Sequence, residues 1–140
     1  MPLSTDRFLR HDELTTQLTA LAAERPDLLA VESIGRSHEG RDIWLATVTA
    51  AETGPHEEKP AMWIDANIHA TELTASVAAL AVIDRLVAGH GADEVVTRAL
   101  RTRTFYVVPR VNPDGAELAL ADRPRFLRSM YPMRLAHRSS

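Results

Sequence analysis

His69 and Glu72 stand three residues apart in Asn67-Ile68-His69-Ala70-Thr71-Glu72, an imidazole and a carboxylate that one turn of chain can bring to a single crevice. Zinc accepts a histidine nitrogen and a carboxylate oxygen at about 2.0–2.2 Å, and a catalytic zinc usually takes three protein ligands and a water. Spacing alone leaves a second reading open, a surface histidine near a helix start. His90 and Asp93 repeat the spacing and act as a decoy. The HExxH helix of the zincins does not occur in the sequence.

Two further groups could take part. Arg110 precedes, and Asn112 and Asp114 belong to, Asn112-Pro113-Asp114-Gly115, whose composition is that of a turn. In isolation that turn is equally a plain connector. Arg123, Arg125 and Arg128 offer planar paired donors suited to a carboxylate or an oxyanion, although arginines in such a setting commonly face solvent. Other chemistries find no support. GxGxxG, GxxxxGK[ST] and GxSxG motifs are missing, and without cysteine there is no thiol nucleophile, disulfide or cysteine–metal scaffold.

The elements that must position these residues follow from periodicity. Leu14, Leu18, Leu21 and Ala22 share one helix face, and Pro26 places its end near residue 24. Residues 28–35 and 41–49 read as two strands joined by the turn-rich 36–40, and residues 50–60 as an exposed loop. Residues 61–68 form a mostly apolar run expected to be a strand buried on both faces. A helix is expected over 72–87, ended by Gly89 and Gly91, then a shorter one over 92–101. A strand over 104–111 and a short helix over 116–121 complete the pattern.

Strand, helix, strand in this order is a βαβ unit with parallel strands. The expected fold class is therefore α/β, a mixed sheet with an N-terminal antiparallel hairpin followed by a βαβ unit. Ligands of open α/β sheets sit beyond the carboxyl ends of parallel strands. His69 and Glu72 follow one such strand, and Arg110, Asn112 and Asp114 follow the other, so two polar clusters meet at one sheet edge.

Composition agrees with one globular domain: 140 residues, 45% apolar and 25% charged, net charge −3. No run of about 18 apolar residues suggests a membrane span. No signal peptide is recognised in the sequence as given, so a cytoplasmic location is the expectation. Residues 123–140 carry five arginines and no acid, while the rest carries eleven basic against nineteen acidic residues. Basic tails can bind nucleic acid, but a solvated, frayed terminus is the simpler expectation.

Three segments together resemble the zinc metallocarboxypeptidases of the M14 family. They are Gly35-Arg36-Ser37-His38-Glu39-Gly40-Arg41 with Asp42-Ile43-Trp44, Trp63 through Glu72, and Pro109-Arg110-Val111-Asn112-Pro113-Asp114-Gly115, in the family's order and at compatible spacing. The resemblance covers roughly residues 6–130 and corresponds to about the first half of a catalytic domain. It implies residues 1–130 as the N-terminal part of a peptidase domain, with 131–140 a short arginine-containing tail. It implies Zn2+ as cofactor, His69 and Glu72 as its first two ligands, Arg128 as the oxyanion-stabilising arginine with Arg125 as fallback, and a peptide or protein C-terminus as substrate. Thr71 stands where digestive members often carry arginine, so contacts at that subsite differ.

The family's third zinc ligand, its Asn-Arg pair for the substrate carboxylate and its general-base glutamate lie further downstream than this chain extends. The setting of His137, Arg134-Leu135-Ala136-His137-Arg138, does not resemble that of the ligand. Glu39 and Glu117 are the acids nearest the turns, and neither matches the family's base. The expectation is a truncated piece without activity of its own, exposing the edge of the 104–111 strand. Two other readings stay open. Acylamino-acid hydrolases resembling aspartoacylase and succinylglutamate desuccinylase share a His-x-x-Glu pair, and a non-catalytic binding remnant would need neither metal nor substrate. No nucleic-acid or membrane partner is expected, and the oligomeric state is not legible.

Overall fold

Helix α1 (His11–Glu24) starts where Glu13 accepts from the Arg10 amide at 2.8 Å, so an otherwise orphan N–H at the helix entrance is satisfied. The computed structural model describes residues 3–124. After α1 come strands β1 (Leu29–Arg36) and β2 (Asp42–Val48), strand β3 (Ala61–Asp65), helices α2 (Leu73–Gly89) and α3 (Glu94–Thr102), strand β4 (Thr104–Val108) and helix α4 (Pro113–Ala119). Asp93 begins α3 as a side-chain cap, accepting from the amides of Val95 and Val96. The loop between β2 and β3 contains two single turns of 3₁₀ helix. Lys59 ties it down, its ammonium donating to Thr49 Oγ1, the Ala50 carbonyl and Thr53 Oγ1 at 2.7–2.9 Å.

The four strands form one mixed sheet in the order β1-β2-β4-β3. β1 and β2 make the expected antiparallel hairpin, and β4 adds to β2 antiparallel through Ala46↔Val107 and Val48↔Phe105. β3 and β4 are parallel over five pairs, from Ala61↔Thr104 to Asp65↔Val108, with α2 and α3 in the crossover. The α/β class and the hairpin-plus-βαβ order are thus those the sequence implies.

Two expectations are corrected. The 61–68 run yields a strand of only five residues that pairs on one side, with Met62 and Trp63 more than half exposed. Asn67 ends it by adopting φ 55, a left-handed conformation closed to strand geometry. The open edge also belongs to β3, because β4 is paired on both sides. Of the five strand residues only Ile64 is partly buried, packed against the core, so the expected burial on both faces fails.

One core accounts for the packing of α1, α2 and α3. Leu14, Leu18 and Leu21 of α1, Leu80, Ile83 and Val87 of α2, and Leu100 of α3 meet Leu29, Val48 and Val107 of the sheet. Trp44 pins α1 to β2 by donating Nε1–H to Thr15 Oγ1 at 2.8 Å. On the opposite sheet face, Ile34, Ile43, Trp63, Ile68 and Val111 line a cavity of about 280 Å³.

The expected consequence is measurable. Leu18 is fully buried, so Leu18→Ala should cost about 2–5 kcal/mol in urea unfolding. An edge strand bearing an exposed tryptophan promotes association, which a charge on the edge suppresses. Sedimentation velocity should therefore show concentration-dependent self-association that Trp63→Lys reduces. A wild-type chain monomeric at every concentration tested would contradict this.

Candidate metal centre

Parallel pairing sends the chain out of β3 and β4 at the same sheet edge, and backbone bonds keep the two exits together. The Ala66 amide donates to the Val108 carbonyl at 3.0 Å, the Val111 amide to Ala66 at 2.9 Å, and the Asn112 amide to Asn67 at 3.1 Å. Asn67 is buried, and its Nδ2 donates to the His69 carbonyl at 2.8 Å, fixing the loop from inside. The Glu72 amide closes the turn by donating to the His69 carbonyl at 3.1 Å, and α2 begins one residue later. His69 is half-buried and Glu72 exposed. The Glu72 carboxylate does not cap the helix it precedes and so is not consumed by that role.

The segment expected as a turn before a helix is the helix start itself. Asn112 is the N-cap of α4, its Oδ1 accepting from the Gly115 amide at 2.9 Å, and Pro113 takes the first helical turn, where no N–H is required. α4 therefore begins at Pro113, not at Ala116. Asn112 Nδ2 also donates to the Ile68 carbonyl at 3.3 Å. Gly115 lies so close to the metal-candidate loop that a Cβ there would fall 2.7 Å from the Ala70 Cβ. Only glycine permits that approach.

Asp114 is buried beneath the β1–β2 turn. Its Oδ1 accepts from Ser37 Oγ at 2.7 Å and Arg41 Nη1 at 2.6 Å, and its Oδ2 from the Glu39 amide at 3.0 Å. Burial pushes the carboxyl pKa up, but the bonds from Ser37, Glu39 and Arg41 outweigh it and hold the group below its ordinary value. Ser37 Oγ accepts in turn from the Arg41 amide at 3.0 Å. Arg41 also pairs with Glu39.

Of the candidates, the structure brings His69 and Glu72 onto one turn and sets Asn112 and Asp114 beside it, but turns Arg110 away. Arg110 is 4% exposed, and its Nη2 donates to the Leu9 carbonyl at 3.0 Å, with Ser76 Oγ at 3.4 Å. It joins the segment before α1 to α2 rather than facing a ligand. Glu117 is likewise engaged, accepting from the His11 amide at 2.8 Å and pairing with Arg10 at 3.1 Å. Arg123 is exposed. Arg125, Arg128 and His137, and with them the 131–140 tail, lie outside the described residues. Sequence reasoning missed the Ser37–Arg41–Asp114 network. The available signal was a lone acid beside a helix cap and an arginine-bearing turn destined for the same sheet edge.

A histidine nitrogen and a carboxylate oxygen are the donor set zinc accepts, and two donors are what this turn presents. Among the described residues no group of three His, Cys, Asp or Glu side chains is placed to hold a metal ion.

A mixed sheet with its polar cluster beyond the carboxyl ends of adjacent parallel strands is the arrangement in which open α/β sheets bind ligands. The family described as zinc carboxypeptidase matches residues 14–132. Carboxypeptidase A2 of Mus musculus is 35% identical over 104 residues, 74% of this chain and 24% of its own length. A zinc carboxypeptidase of Saccharothrix mutabilis subsp. capreolus is 28% identical over 109 residues, 78% of this chain and 25% of its own. Among solved structures, carboxypeptidase A from Helicoverpa armigera superposes with a TM-score of 0.78 at 25% identity, over 96% of this chain and 32% of that one. Thrombin activatable fibrinolysis inhibitor shares the fold with a TM-score of 0.81 at 22% identity, over 94% of this chain and 32% of that one. The chain belongs to the zinc carboxypeptidase family, and it spans about a quarter of the length of these curated relatives. Nothing in these similarities supports the acylamino-acid hydrolase alternative.

The Asp114 network carries a pH signature. Its folded pKa lies below the ordinary 3.8, so folding favours the ionised form. That stability is fully present above the unfolded value and is lost as pH falls through the folded one. Urea midpoints of wild type and Asp114→Asn should therefore differ most above about pH 5 and converge as the solution is acidified. A difference independent of pH would contradict this.

Proposed function

We propose that the chain is the N-terminal part of a metallocarboxypeptidase domain, residues 1–130, that removes C-terminal residues from peptides, and that His69 and Glu72 are two of the ligands of its zinc. The observation that carries this reading is the single turn bearing both donors at the carboxyl end of β3, clasped by the Asn112–Gly115 helix start. Zinc bound there would supply Lewis-acid polarisation of the scissile carbonyl and activation of a water near neutral pH.

The chain's own residues divide the remaining work. Asn67 holds the carbonyl of His69 from below, and Asn112 holds that of Ile68 from the side, so the backbone carrying the imidazole is fixed before any ligand arrives. Arg128 is the residue the family resemblance assigns to the oxyanion, where a guanidinium's paired donors meet developing negative charge. Glu39 and Glu117 are committed to Arg41 and to the entrance of α1, which argues against either as a substitute base.

Two donors hold zinc less firmly than three, and among the described residues no third is placed beside His69 and Glu72, so the chain should bind zinc weakly and without turnover. Calorimetric titration should show binding that His69→Ala and Glu72→Ala each abolish. Equal affinity in wild type and His69→Ala would sink the ligand assignment. In an assay for amino acids released from peptide C-termini with added zinc, the chain should stay at background, since general-base help alone is worth about 10²–10⁴-fold. Chelator-sensitive turnover abolished by Glu72→Ala would show instead that these residues suffice for catalysis.

A further inference from the structure

We propose that Asp114 is a positioning residue for the metal pair: its buried carboxylate, clamped by Ser37, Glu39 and Arg41, holds the Asn112–Gly115 helix start against Ile68 and Ala70, the residues on either side of His69. This rests on the reading of His69 and Glu72 as metal donors and adds a residue that touches neither.

The path is continuous and short. Ser37, Glu39 and Arg41 belong to the turn between β1 and β2, and all three donate to the Asp114 carboxylate. The turn is itself closed, the Ser37 amide donating to the Arg41 carbonyl at 2.8 Å and the Gly40 amide to Ser37 at 3.0 Å. Asp114 therefore grips a preformed loop rather than a loose one. Two residues before it, Asn112 donates through Nδ2 to the carbonyl of Ile68, which precedes His69. One residue after it, Gly115 packs on Ala70, which follows His69. Both contacts depend on where α4 sits relative to the 67–70 loop.

Chemistry says why a carboxylate is used. The Asp114 side chain is 4% exposed, and a buried charge persists only when its lone pairs are met by donors and an opposite charge. Here the donors all sit on one loop, so satisfying the charge and docking the loop are a single event. Removing the charge leaves Arg41, 29% exposed at its side chain, able to turn to solvent and to Glu39. The turn and the helix start then lose their common anchor.

Asp114→Asn is the test, read with zinc alone as probe and by amide hydrogen exchange of the metal-free protein. Zinc affinity should fall about tenfold or more, the cost typical of disturbing groups that orient metal ligands. The amides of Glu72 and Asn112, which donate to His69 and Asn67, should exchange faster relative to those of β4 in the same molecule. Leu18→Ala, a destabilising change in the core, should alter neither zinc affinity nor that ratio. Should Asp114→Asn fail to fold, Ser37→Ala and Arg41→Gln weaken the same clamp from the other side and should move both readouts in the same direction. Unchanged affinity and exchange in a folded clamp variant would overturn the proposal, as would an equal effect of Leu18→Ala on the ratio. If wild type and His69→Ala bind zinc equally, the metal assignment fails, and the exchange ratio alone then decides whether Asp114 orders the loop.

Discussion

The parallel pairing of β3 with β4 is the constraint on which the site depends. Neighbouring strands lie about 4.8 Å apart, so two chains leaving the same sheet edge are in contact before any side chain is considered. The Ala61↔Thr104 to Asp65↔Val108 register sets which residues emerge together. A slip of two residues would keep every side chain on its face yet displace one exit by about 6.6 Å, separating Asn112 from Ile68. The bonds from Ala66, Val111 and Asn112 continue the ladder past the formal strand ends, so register information reaches the His69 turn without passing through flexible chain.

α4 is short, yet it collects three otherwise separate parts of the molecule. Asn112 and Gly115 meet the 67–70 loop, Asp114 meets the β1–β2 turn, and Glu117 meets the entrance of α1. Such a hub does not gain chiefly from Coulomb attraction. Moving a carboxylate out of water costs several kcal/mol, which pairing with one arginine offsets only in part. The hydroxyl of Ser37 and the amide of Glu39 supply the remainder. The same bonds join the β1–β2 turn to the start of α4.

His69 and Glu72 were legible as a candidate donor pair because they lie within four residues, where chain connectivity enforces proximity. The hairpin and the βαβ unit were legible, since their signals are local, but the order in which the strands pair was not. Arg110 was not. Its position after a strand end suggested a ligand-facing side chain, but Leu9, a hundred residues earlier in sequence, places a carbonyl at its guanidinium and draws it inward. The 61–68 run misled for a related reason: an apolar composition does not show which faces long-range packing will cover, and of β3 only Ile64 is partly buried.

By itself the sequence determined the α/β class, the boundaries of the helices to within a few residues, the membership signalled by three spaced motifs, and the identity of His69 and Glu72 as candidate donors. Each depends on periodicity or on neighbours a few positions apart. Only the tertiary structure decided that β4 is central and β3 the edge, that the NPDG segment begins a helix, that Arg110 is a buried strut, and that Asp114 binds a turn more than seventy residues away. These outcomes depend on which surfaces meet when the layers pack. A polar side chain's role is then set by the donors and acceptors that long-range packing delivers, and no local pattern encodes that delivery.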